Sequence, residues 1–362
     1  MKIRLFFLIV CVLVAPFTSA VTVSNLYRAE LVLPVEADEA RLLNRAFAIA
    51  AQEVLGRVSG NREAIDGRLL KEVRKNAATW VAQHAVETVS ELLEVNGSLT
   101  PAKRITVTFY EQSINAFLSN NQLPIWGANR PSILLWLATD QGQGRDLAGV
   151  ASPSILLNDI STHAAKLGLP IYAPLLDDID KSSLAAAEVW GFFEDSIKLA
   201  SRRYQTDIVV AVRANQQQAL ITGDALVIFP SSEVVMLPLS AVNTVEFAQS
   251  INEQLAALFT SKYAAVRDAN EKRFVTLQVT GIGSFQDLQS VQNYLASIEL
   301  VRSWHMVSLM DDKVQFKLSI DGNSDKLNSV IALDAILQSV QLSALDPDAN
   351  KVTPFHYNGD KK

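Results

Sequence analysis

Ile133-Leu134-Leu135-Trp136-Leu137-Ala138 is apolar at every position. A strand with one wet face alternates apolar and polar residues, whereas a strand apolar throughout is covered on both faces. This run predicts a sheet enclosed between helices, and Ile208-Val209-Val210-Ala211-Val212 repeats the signature. Amphipathic helical spacing over Pro153–Leu167, Val189–Tyr204 and Glu246–Tyr263 supplies the covering layers. A short strand at Pro170–Pro174 and further strands at Ala219–Phe229 and Glu233–Leu239 complete the order β-α-β-α-β-β-β-α over residues 123–268. A mixed sheet covered by helices fits that order.

On the N-terminal side, residues 21–122 read as a strand at Leu26–Leu33, two helices, a strand at Arg104–Tyr110 and a short helix. Asp38 caps the first helix and Gly60-Asn61 closes it. The second helix runs from Arg68 through Trp80 to about His84. The stretch from there to Val95 fits helix and strand equally. On the C-terminal side, residues 272–345 read as a βαββα module like the split βαβ unit, with Val301–Met310 and Lys313–Ile320 as its central hairpin. Residues 346–362 read as a mobile tail. The fold class is α/β (α+β): two or three small modules with mixed sheets covered by helices.

Residues 1–20 carry an address. Lys2 and Arg4 precede eleven apolar residues, Leu5 to Ala15, and Thr18-Ser19-Ala20 supplies the small residues of a cleavage site. These are the parts of a secretory signal peptide, too short to span a bilayer core of about 30 Å. The expectation is cleavage near Ala20 and a periplasmic mature chain with no transmembrane segment. Cys11, the only cysteine, leaves with the leader. The mature chain then depends on apolar burial without disulfides. Without Lys2 and Arg4 the chain holds 30 basic and 38 acidic residues, a balance of −8. That charge argues against a nucleic-acid partner.

Chemistry-bearing motifs are few. Asp177, Asp178 and Asp180 form the densest carboxylate cluster and lie before a helix start at Ser182. Oxygen ligands of this kind suit a hard cation, but the turn glycine and distal glutamate of a calcium loop are missing. A solvated loop that favours the helix N-terminus is the plainer reading. His84, His163, His305 and His356 have no metal-ligand spacing, and His163 reads as solvent-facing. Gly142-x-Gly144 lacks the rest of a phosphate loop, and no nucleophile motif is present. Trp126, Arg130, Trp136 and Trp190 offer aromatic surface and one cation for a binding floor, against the plainer reading of core plugs. No cofactor and no metal are expected.

Leu123-Pro124-Ile125-Trp126-Gly127, the run from Arg130 to Ala138, Gly168-Leu169-Pro170, Pro174-Leu175-Leu176-Asp177, Val189-Trp190-Gly191-Phe192-Phe193 and Ala200-Ser201-Arg202-Arg203-Tyr204 together resemble the DUF2066 family of proteobacterial proteins. Val279-Thr280-Gly281-Ile282 and Tyr294-Leu295 resemble that family's end. The resemblance implies an envelope setting and no activity. Gln216-Gln217-Gln218 and Thr222-Gly223 depart from it, standing where a tryptophan-bearing strand pair is expected. Ala200 to Val212 is also similar, at the level of fold, to periplasmic domains of the TolB N-terminal and penicillin-binding-protein-activator type. The expected function is a non-enzymatic envelope protein that binds another envelope component, an exposed sheet edge being one means. The alternatives are a metal-assisted hydrolase using Asp177, Asp178 and Asp180, and a small-ligand binder near Trp126, Arg130 and Trp190.

Overall fold

The computed structural model describes residues 21–216, 220–267, 273–310, 312–333, 336–340 and 352–359. The leader, Gln217, Gln218 and Asp311 lie outside the described residues.

The first module consists of β1 (Val21–Thr22), β2 (Arg28–Pro34), α1 (Glu39–Ser59), α2 (Gly67–Trp80), β3 (Val81–Val95), β4 (Ser98–Phe109) and α3 (Glu111–Asn120). Its sheet runs β2-β4-β3, antiparallel throughout. The Asp38 side chain accepts from the Ala40 and Arg41 amides, as a cap should, and Gly60 ends α1 in the left-handed conformation at φ 63°. Leu42, Ala46, Ala50, Val54 and Val58, one face of α1, join Ile105, Val107 and Phe109 of β4 in a separate core. The chain from Val81 to Val95 is strand from its first residue, so α2 stops at Trp80 rather than near His84. Pairing with β4 about the Asn96-Gly97 turn decides what local pattern left open.

The second module begins with β5 (Pro124–Ile125) and β6 (Asn129–Arg130), followed by β7 (Ile133–Asp140), β8 (Arg145–Ala148), α4 (Ile155–Leu167), β9 (Ile171–Tyr172), α5 (Asp178–Ser183), α6 (Ala186–Trp190) and α7 (Glu194–Ser201). It continues through β10 (Ile208–Asn215), β11 (Ile221–Ile228), β12 (Val234–Ala241) and α8 (Thr244–Tyr263). The sheet order is β12-β11-β10-β7-β8; β10 and β9 pair with β7 in parallel, the other strands antiparallel. Alternate residues of β7 explain its apolar run. Ile133, Leu135 and Leu137 enter a core with α4 and α8, while Leu134, Trp136 and Ala138 enter one with Val189, Ile197 and Ala200. The single helix expected over Val189–Tyr204 is broken at Gly191 and Phe192, the latter at φ 55°. That break lets α6 and α7 each lay a short apolar face on the sheet.

The third module holds β13 (Ala265–Val266), β14 (Arg273–Thr280), α9 (Phe285–Ser297), β15 (Val301–Met310), β16 (Lys313–Ile320), α10 (Ser324–Ile331), β17 (Leu337–Ser339) and β18 (Thr353–Tyr357). Its sheet order is β15-β16-β14-β18-β17. The stretch 346–362 is therefore not tail throughout: Thr353–Tyr357 lies parallel to β14 and buries Phe355 and Tyr357. Short pairs stitch the modules, β1 with β6 and β13 with β5. The mixed α+β architecture is as composition and pattern indicate.

Candidate functional site

Arg130 sits at the joint of the first two modules with no exposed surface. Its guanidinium donates to five carbonyls: Gly127 at 3.0 Å, Leu167 at 2.8 Å, Gly168 at 3.1 Å, Arg57 at 2.8 Å and Trp126 at 3.0 Å. These include the C-terminal ends of α1 and α4, where peptide dipoles favour a cation. The guanidinium also stacks on the Trp126 ring at 4.1 Å. Burial, with Arg57 adding repulsion, pushes its pKa down to about 9. The five acceptors and the ring face offset that cost. Gly168 ends α4 at φ 66°, and a Cβ there would lie 2.9 Å from Arg130 Nη1. Gly60 ends α1 at the same joint, where a Cβ would lie 1.8 Å from Thr260 Oγ1. Both glycines are required by backbone conformation and close approach together.

Arg57 is the second clamp. It donates to Lys166 O at 2.8 Å, Arg28 O at 2.6 Å and the Glu53 carboxylate at 2.7 Å. His163, on the adjoining face of α4, is buried rather than solvent-facing. Burial, Arg62 and Lys166 all push its pKa down.

Trp136 lies on the opposite face of β7. Its indole N–H donates to Ser201 Oγ at 2.9 Å, and its ring meets Tyr204 edge-on at 6.1 Å. Tyr204 donates to the buried Asp180 carboxylate, which also accepts from Leu176 N at 2.8 Å and Arg203 Nη1 at 3.0 Å. Asp177 accepts two Arg203 N–H groups at 2.7 and 2.8 Å and caps α5 through Asp180 N at 3.0 Å. Arg203 holds the Asp177 carboxyl well below the usual carboxylate range. Desolvation pushes the Tyr204 hydroxyl up to about 12. Asp178 is exposed in the first turn of α5. A guanidinium therefore fills the carboxylate positions a cation would need. Among the described residues no group of three His, Cys, Asp or Glu side chains is gathered for a metal.

The seven residues singled out from sequence thus divide. Trp126 and Arg130 seal one side of the central sheet, and Trp136, Asp177 and Asp180 lock the other. Asp178 is left exposed, and Trp190 borders a recess of about 280 Å³ shared with Arg213 and Asp224. Arg145 covers its ring at 4.7 Å, and Arg213 is held by Asp224 at 2.7 and 2.9 Å. Two larger recesses of about 850 and 870 Å³ meet at Ser119 and Arg267. Their charges are engaged internally: Arg267 with Glu299 and Asp321, Arg302 with Asp321 at 2.6 Å, and Lys326 with the Ala264 carbonyl.

What remains open is backbone. β15 ends its sheet, paired with β16 on one side only. It is ten residues long and exposes Met306, Val307, Leu309 and Met310. Long, apolar end strands are templates for another strand unless blunted by charge, proline or bulges; β15 has no proline or carboxylate and carries bulges between Val301 and Ser303 and between Met306 and Ser308. Strand reasoning located Val301–Met310 but did not state its place in the sheet, at the end opposite β18 and β17. The other long end strand, β3, exposes Glu87, Glu91 and Glu94.

No helix among the described residues is long and apolar enough to cross a membrane. Comparison with known proteins gives one family match: a model described as a domain of unknown function, DUF8605, covers residues 20–127. This overturns the resemblance to DUF2066, and nothing supports the likeness to TolB N-terminal or penicillin-binding-protein-activator domains. No curated protein matches the chain, and no solved structure does.

Proposed function

We propose that this chain is an exported, non-enzymatic binding protein of the cell envelope that takes an extended segment of another envelope protein onto β15. One observation carries the reading: a ten-residue end strand with Met306, Val307, Leu309 and Met310 exposed. Strand addition draws affinity from main-chain hydrogen bonds and specificity from alternate side chains. The use of Asp177, Asp180, Arg130 and Trp136 as internal fastenings favours binding over catalysis. The leader-like residues 1–20 favour export.

A photo-crosslinking residue placed at Leu309 in living cells tests the reading. The expected product is one defined adduct, absent when the crosslinker stands at Glu91. The purified partner then binds the purified chain, and Leu309→Lys abolishes binding. Identical adducts from both positions, or a partner indifferent to Leu309→Lys, overturn it. Fractionation tests export, with a shortened chain expected in the periplasm and an unshortened cytosolic one contradicting it.

A further inference from the structure

Resting on the reading of β15 as a docking edge, we infer that the partner is an acidic, amphipathic extended segment: apolar on one side, carboxylates on the other. The basis is a charge imbalance. Strands β14 to β18 contain no aspartate or glutamate, yet they hold Arg273, Arg302, Lys313 and Lys317, with His305 and His356. The chain as a whole is the reverse, with 38 acidic and 32 basic residues. Three carboxylates among the described residues beside the strands are engaged. Asp321 holds Arg302 and Arg267, Glu299 holds Arg267, and Asp312 accepts from the Gly281 amide.

The register, which slips at bulges between Val301 and Ser303 and between Met306 and Ser308, sorts the edge into two faces. Trp304 lies opposite Leu318, Met306 opposite Phe316 and Leu309 opposite Val314, on the apolar side that packs beneath α9 and α10. His305 lies opposite Lys317 and Met310 opposite Lys313, on the other side. His305, Lys313 and Lys317 are exposed; the Lys317 ammonium leans toward β14, 5.0 Å from the Phe274 ring, which leaves His305 and Lys313 as the basic residues nearest the open side. An added strand stands about 4.8 Å from β15 and about twice that from β16, a gap closed only by a lysine and a glutamate side chain reaching toward each other. Its residues on one face meet Trp304, Met306 and Leu309, and on the other His305 and Lys313. Cross-strand complementarity then calls for apolar residues alternating with carboxylates.

The test uses the full chain and three synthetic peptides as long as β15, alternating valine with glutamate, glutamine or lysine, with binding read by fluorescence anisotropy. The glutamate peptide binds about tenfold tighter than the glutamine peptide and the lysine peptide weakest, a preference that shrinks with added salt. His305→Glu with Lys313→Glu, both at exposed positions, inverts the order. Equal binding of all three peptides, abolished by Leu309→Lys, overturns the acidic partner and leaves the docking edge standing. Binding indifferent to Leu309→Lys, or none from any peptide, overturns both. A dimer that forms with concentration and dissolves with Leu309→Lys assigns the edge to a second copy and overturns the inference as well.

Discussion

The Arg130 joint and the β15 edge are opposites. At the joint five donors meet five carbonyls, a ring covers the charge, and nothing is exposed. At the edge a row of backbone groups faces away from β16, bordered by methionine, valine and leucine. The joint contains Trp126 and Arg130, two of the residues that sequence alone marks as candidates for binding, and the edge contains none. The contrast teaches that a charged or aromatic residue signals unusual burial as readily as a binding site. Capacity to bind instead resides where main-chain groups lack a neighbour. The variants that follow test whether stability and binding separate along that line.

Arg130→Met has the largest expected effect. It strips the carbonyls on which the ends of α1 and α4 converge of their donor, and the stability of the chain falls by at least about 3 kcal/mol, since each buried acceptor left unpaired costs about 1–3 kcal/mol. Denaturant midpoints measure it. Peptide binding per folded molecule is unchanged. An equally stable Arg130→Met chain would mean that the joint closes by apolar packing alone.

Tyr204→Phe comes next. It leaves the buried Asp180 carboxylate one donor short and strips the Leu175 amide of its acceptor. The expected loss is about 1–3 kcal/mol, again with no effect on the edge. Thermal unfolding checks both parts, and a change in peptide affinity would tie the acidic loop to binding after all.

Arg203→Met sharpens the point through pH. Arg203 depresses the folded-state pKa of Asp177, so the stabilisation is fully present above the unfolded carboxylate value of about 4 and is lost as pH falls toward the folded value. Wild type is therefore the more stable at neutral pH, and the gap between the two melting curves closes below about pH 4. A gap independent of pH would show that packing of the arginine stem, rather than its charge, holds the loop.

Much of the frame was legible because it is local. The apolar run of β7, the Asp38 cap and the helix-ending glycines Gly60 and Gly168 each follow from a few neighbouring residues. What escaped depends on distant partners. Arg130 shows a charge in sequence, but its acceptors come from residues 57, 126, 127, 167 and 168 and exist only once two helix ends meet. Asp177 and Asp180 read as a solvated cluster because Arg203 and Tyr204 lie more than twenty positions on. Thr353–Tyr357 was hidden among residues that favour turns, although Phe355 and Tyr357 show the alternation of a half-buried strand. It extends the sheet beyond β14, whereas β15 is an end with or without it.

Leu309→Lys has the smallest expected effect on stability and decides the comparison. Leu309 is about half exposed, so the folded chain changes by no more than about 0.5 kcal/mol. A lysine on an end strand is the common means of keeping other strands away. β3 shows the same principle with Glu87, Glu91 and Glu94. Crosslinking at Met306, expected in wild type, disappears in this variant while the melting temperature stays put. That pairing, binding lost without stability, is the mirror image of Arg130→Met, where stability is lost without binding. If Leu309→Lys instead unfolds the chain, the edge belongs to the core of the third module and the two regions are not opposites.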